Sequence, residues 1–108
     1  MSQHVEPAMP FQPALSIEYS AQSVVSKTIL KKPSGNVTLF AFDKDEGLSE
    51  HSSPHDALVQ ILDGAADVRI GETSHQLSSD QSIILPANIP HALYATDRFK
   101  MMLIMIRE

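Results

Sequence analysis

Turn-forming residues cut this chain into short runs. From Ala14 onward a cluster of Gly, Pro, Asp or Ser falls about every 6 to 12 residues, and no stretch between the clusters sustains a helical period. The runs carry strand chemistry instead. "LSIEY" alternates apolar and polar residues, and "SVVSKTIL" does so less cleanly. "KKPSGN" supplies a turn with Pro33 and Gly35, and "NVTLFAF" is apolar on both faces, so cover on both sides is expected. "DKDEGLSE" reads as a polar loop. Asp63-Gly64, between "DALVQIL" and "AADVRI", is a two-residue hairpin signature, and Gly71-Glu72 marks a second turn before "TSHQL". "SSD" leads into "QSIIL", "PANIP" makes a corner before "HALYA", and "RFKMMLIMI" closes the chain. About ten short strands so spaced predict an all-β barrel or sandwich.

The length of 108 residues suits one domain with one modest core. Pro7, Pro10 and Pro13 block both helix and central strand, so residues 1–13 are expected to form an extended arm and residues 14–108 a single barrel domain. Met9 and Phe11 give the arm something to bury, and packing on a partner subunit is the expectation. Net charge is -5 and no basic cluster exceeds Lys31-Lys32, which argues against nucleic acid or an anionic membrane as partner. The absence of cysteine removes disulfides, thiolate catalysis and zinc–thiolate sites. The start "MSQHVEPAMPFQP" lacks a basic region and apolar core of signal-peptide type, and "MMLIMI" is far shorter than the roughly 20 residues of a spanning helix. A cytoplasmic location is the expectation.

The candidate chemistry lies in the histidines. In an extended strand His51, Ser53, His55, Ala57, Val59 and Ile61 share a face, polar at its open end and aliphatic deeper, as at a barrel mouth leading into a core. His91 follows the "PANIP" corner on a later strand, which a barrel can bring alongside. Three imidazoles from two strands would suit a first-row divalent ion such as iron, manganese, nickel or zinc. The plain alternative is a polar pair at the mouth, bonded to each other or to water. His55 follows Pro54 in a loop and reads more readily as a solvated rim residue than as a ligand. His75 reads as an exposed strand residue, and His4 has no role. Tyr94 can line the pocket or pack at its rim. Met101, Met102 and Met105 read as fillers of core and interface gaps.

The order of these features resembles the small single-domain cupins. "GLSEHSSPHDALVQILDG", from Gly47 to Gly64, resembles their first motif, and "DQSIILPANIPHALYA", from Asp80 to Ala95, their second. The resemblance runs from about Leu30 to Ile106. It implies a double-stranded β-helix, a jelly-roll barrel of two antiparallel sheets. His51 falls on the family's first metal-binding histidine and His91 on its last. The second histidine falls on Ser53 and the glutamate on Ala57. His55 is displaced by one strand repeat, and Asp56 is one residue from the glutamate position, where it should point the other way. Asn88 replaces the corner glycine, which asparagine's access to positive φ allows.

The resemblance implies a small-molecule ligand. It leaves two functions open: a divalent-metal site of His51, His91 and His55 with oxygenase, isomerase or lyase chemistry, or a metal-free binding module with Ser53, Ala57 and Tyr94 in the pocket. The doubly apolar "NVTLFAF" and "MMLIMI" also suggest a homodimer.

Overall fold

The computed structural model describes residues 5–107; the expectation for His4 lies outside them. After a short 3-10 turn at Pro13–Leu15, eight strands follow: β1 (Val24–Lys32), β2 (Gly35–Phe42), β3 (Gly47–His51), β4 (Asp56–Ile70), β5 (Thr73–Ser78), β6 (Ser82–Leu85), β7 (His91–Tyr94) and β8 (Phe99–Ile106). All pair antiparallel, in the order β1-β2-β8-β4-β7-β3, with β5 and β6 also joined to β4. The sheet curls into the expected jelly-roll barrel of two antiparallel halves, a double-stranded β-helix. Among the described residues no helix is long and apolar enough to cross a membrane.

β4 makes the closure. Its first part pairs with β8 and β6, and its second part with β5 and β7. The expected Asp63-Gly64 hairpin does not exist. The register against β8 slips between Ile61 and Asp63, which leaves Leu62 as the extra residue of a bulge, and the dipeptide follows it inside one long strand with Gly64 at φ 78°. A hairpin and a bulge both use a glycine at positive φ, and the local sequence does not separate them. Gly71 at φ 59° does form the expected two-residue turn, with Ile70 opposite Thr73.

Two further expectations change. "LSIEY" is not a strand: it straps the outside of the β1-β2-β8 face, where Ile17 packs with Leu39 and Ala41. Lys100 Nζ donates to the Ala14 carbonyl at 2.6 Å, Lys27 Nζ to that of Ser16 at 3.2 Å, and the Tyr19 hydroxyl to Asp63 at 2.6 Å. This is the second cover that "NVTLFAF" requires. The "GLSE" part of the polar loop is strand β3, an edge strand whose polar side chains hide its period.

The main core lies between the two halves. Phe42, Val59, Ile61, Phe99 and Met101 come from one half, and Ala66, Val68, Leu77 and Leu93 from the other. Phe42 and Phe99 stack with ring centroids 4.4 Å apart. Cross-strand partners point the same way, so this cluster defines the inner face of every strand.

Candidate functional site

β3 runs beside β7 with His51 directly opposite His91. The rings meet edge to face, centroids 4.5 Å apart at 68°. β7 lies between β4 and β3, whereas β3 is an edge, so His91 is buried and His51 exposed. Both rings are held by one device. Nδ1 of His51 lies 2.8 Å from the Ser49 carbonyl, and Nδ1 of His91 lies 3.2 Å from the Ile89 carbonyl. A carbonyl only accepts, so in the neutral ring Nδ1 carries the proton and Nε2 keeps its lone pair. Burial holds His91 below the usual histidine pKa, the adjacent His51 adds to this, and the bond to the Ile89 carbonyl opposes it. The pair therefore presents two nitrogen acceptors at the barrel mouth.

The loop after His51 is clamped to the corner before His91. The Asn88 amide donates to the Ser53 carbonyl at 2.7 Å, and the Ala87 amide donates to the Asp56 carboxylate at 2.8 Å. Asn88 occupies φ 67°, the conformation that a glycine would otherwise serve. Asp56, beside the position where the resemblance places a glutamate ligand, is thus engaged with the corner backbone.

The other expected site residues separate from this pair. His55 is half-buried in a groove of about 360 Å³ with Pro54, Asp56, Ala87 and Ile106. Its walls do not include His51 or His91. Among the described residues no group of three or more His, Cys, Asp or Glu side chains stands where it could hold a metal ion. The set His51, His91 and His55 is therefore not assembled, because Pro54 and the loop break the strand alternation that would align it. The Ser53 hydroxyl accepts from the His55 amide at 3.2 Å. Ala57 is buried on the inner face opposite Met105 and Leu85, with no donor atom to offer.

Tyr94 does not line the mouth. On β7 His91 and Leu93 point inward and are buried, and Tyr94 points outward. Its hydroxyl donates to Asp45 at 2.6 Å, and that bond to a carboxylate raises its pKa. His75, read as exposed, is half-buried opposite Val68 on the inner side of β5.

The sequence reading missed a polar group on the other half of the barrel. Thr38 is buried, its hydroxyl lies 3.1 Å from that of Thr28, and it donates to Asn36 Oδ1 at 3.4 Å. The available signal was alternation in "NVTLFAF", which puts Asn36 and Thr38 on the face of Phe40 and Phe42.

A curled antiparallel barrel with paired histidines beside its second corner defines a small protein of the double-stranded β-helix class. The chain belongs to the cupin domain family, whose model matches residues 38–107. A conserved protein of unknown function from Streptococcus pyogenes is similar at 32% identity and a TM-score of 0.92, over 97% of this chain and 92% of that one. A cupin superfamily protein from Desulfitobacterium hafniense is 26% identical, with a TM-score of 0.90 over 99% of this chain and 97% of that one. A cupin 2 conserved barrel domain protein from Leptotrichia buccalis is 39% identical, with a TM-score of 0.84 over 87% of this chain and 46% of its own length. No curated protein matches the chain.

The donors at the pair do not match the metal site that the resemblance implies. Among the described residues the two imidazole Nε2 atoms have no partner, Ser53 and Ala57 stand where two further ligands would, and no carboxylate joins them. The protein side chains alone do not complete a shell, and no reaction step follows from such an ion.

Proposed function

We propose that this cupin is a small-molecule-binding domain whose polar grip is the His51–His91 pair. The observation that carries the reading is the double Nδ1 anchoring at 2.8 and 3.2 Å, which turns both Nε2 atoms into fixed acceptors beside an apolar core. A pocket with few fixed polar groups over apolar walls is the usual construction of a small-ligand site. Among the described residues no carboxylate stands at the pair and no general base other than a histidine at the mouth, which favours binding over catalysis.

One observation favours a second reading. Anchoring Nδ1 on a carbonyl is also how metal-ligating histidines are oriented. In that reading His51 and His91 would hold a divalent ion, with the bound molecule or solvent supplying the remaining donors. Metal analysis of untagged protein, purified without chelator and then incubated with iron, manganese, nickel or zinc, separates the two. The first reading expects no stoichiometric metal in either the wild type or the His51→Ala/His91→Ala variant. Near-stoichiometric metal lost in the variant establishes the second. If the variant changes neither metal nor ligand binding, the pair is structural and both readings fall.

A homodimer belongs to the same proposal. Leu30 and Ile106 are 56% and 61% exposed at the rim of the outer β1-β2-β8 face. Residues of the arm from Val5 to Phe11 line a groove of about 400 Å³ on this face of their own chain, with Ile29, Val37 and Met102. Light scattering should give twice 11.9 kDa. An unchanged dimer after removal of residues 1–13 would count against a role for the arm in assembly.

A further inference from the structure

We infer that the ligand site extends across the barrel to Thr28, Asn36 and Thr38, and that this polar wall selects a small neutral polyhydroxylated molecule. The inference rests on the small-molecule reading above.

The placement follows from topology. Thr28 faces Thr38 across β1 and β2, and Asn36 and Thr38 face Met105 and Leu103 across β2 and β8. Leu103 packs on the main core, so this is the inner face. β2 passes into β3 through residues 43–46 at the far end of the barrel. The Asn36 end of β2 and the His51 end of β3 therefore lie at the same end, one on each half. Phe40, Leu103 and Met105 are only half-buried, so the inner face is open there.

The hydrogen-bond direction sets the chemistry. Thr38 donates to Asn36 Oδ1, so the shared Thr28–Thr38 contact must be donated by Thr28. The run ends in the Asn36 amide NH2, which has no partner among the described residues. Polar groups on an inner face are costly unless bonded, and the two threonines are bonded to each other while Asn36 keeps donors free. Across the barrel stand two imidazole acceptors. A hydroxyl group can donate to an imidazole Nε2 and accept from the Asn36 amide, and Phe40, Leu103 and Met105 can cover the C–H face of the same molecule.

Charge argues against an anion. Lys27 and Lys100 are turned to the outer face, where they bind the Ser16 and Ala14 carbonyls, and Lys31, the cation that shares the face of Asn36, stands exposed on the edge strand β1, where solvent screens it. An anion also offers no proton to the two Nε2 acceptors, whereas a hydroxyl group does.

The test is an NMR titration of the full chain at pH 7.5 with glycerol, D-xylose and myo-inositol, beside succinate and L-tartrate as anionic probes. Expected is a saturable shift of the Asn36 side-chain amide and the Thr38 methyl together with the His51 and His91 rings, caused by a neutral probe. Asn36→Leu should weaken that binding about five- to tenfold, the loss of one neutral hydrogen bond, and Thr38→Val, which only releases the Asn36 amide it positions, should weaken it less, with thermal midpoints retained in both. A saturable response confined to the histidines, and unchanged in both variants, overturns this inference and leaves the small-molecule reading standing. Tighter binding of an anionic probe overturns the neutral class. No saturable response to any probe overturns both.

Discussion

The Ala87 amide donates a hydrogen bond of 2.8 Å to the Asp56 carboxylate, across 31 positions of sequence. Together with the bond from the Asn88 amide to the Ser53 carbonyl, that contact fastens the loop that follows His51 to the corner that precedes His91. Asp56→Ala should therefore cost about 1 kcal/mol, less than is usual for a bond to a charged group because the side chain is exposed. It should also weaken ring-to-ring NOEs between His51 and His91. Asp56→Asn keeps an acceptor oxygen and should restore the NOEs. Chemical denaturation and NMR of the three proteins check this; unchanged NOEs in the alanine variant would refute the clamp.

Gly64 is where the long strand crosses between halves. It sits at φ 78°, and an added Cβ would land on the Arg98 carbonyl oxygen. Gly64→Ala is expected to lose about 3 kcal/mol or more, from positive-φ strain plus a backbone clash. Gly71→Ala has the same kind of φ, but its nearest neighbour is the Ile89 side chain at 3.9 Å, so it should lose less. Equal urea midpoints for the two variants would contradict the bulge.

Ile17 is 3% exposed although it belongs to no strand or helix. Ile17→Ala should cost about 3 kcal/mol, as for a core aliphatic residue. Tyr19→Phe keeps the ring under the Arg98 guanidinium, 4.0 Å from its centroid, and loses only the bond to Asp63. It should cost about 1 kcal/mol or less. Thermal melts that leave Ile17→Ala at the wild-type midpoint would mean that the strap is not part of the fold.

Stability should fall on mild acidification through His91. Its folded pKa lies below the ordinary 6.5, burial being the main cause, so the unfolded chain binds the proton more tightly. The contribution is whole above that ordinary value and is lost as pH falls through the lower folded value. Denaturation of chelator-treated protein between pH 8 and pH 5 should show this slope, and His91→Gln should flatten it. A variant with an undiminished slope would assign the effect elsewhere.

Much of the barrel was legible in the sequence because its signals are local. The alternation in "NVTLFAF" and "DALVQIL", the turn at Gly71-Glu72 and the corner at "PANIP" are each set by residues within one strand or turn. The inner placement of Ala57, Val59 and Ile61 followed from strand parity. The failures occur where one local pattern serves two geometries. Asp63-Gly64 satisfies a hairpin or a bulge, and "LSIEY" satisfies a strand or a strap with one buried isoleucine. β3 escaped notice because an edge strand need not be apolar.

The candidate site divides in the same way. Sequence by itself determined that His51 and His91 bracket a loop and a corner of a β-barrel, and that no carboxylate stands at Ala57. Only the tertiary structure decided that the two rings touch, that His55 leaves them, that Tyr94 faces outward, and that Asn36 and Thr38 line the opposite half. The reason is the range of the forces involved. Backbone conformation and side-chain alternation act over a few residues, whereas β3 and β7 meet only once the buried apolar faces of both halves have closed on each other.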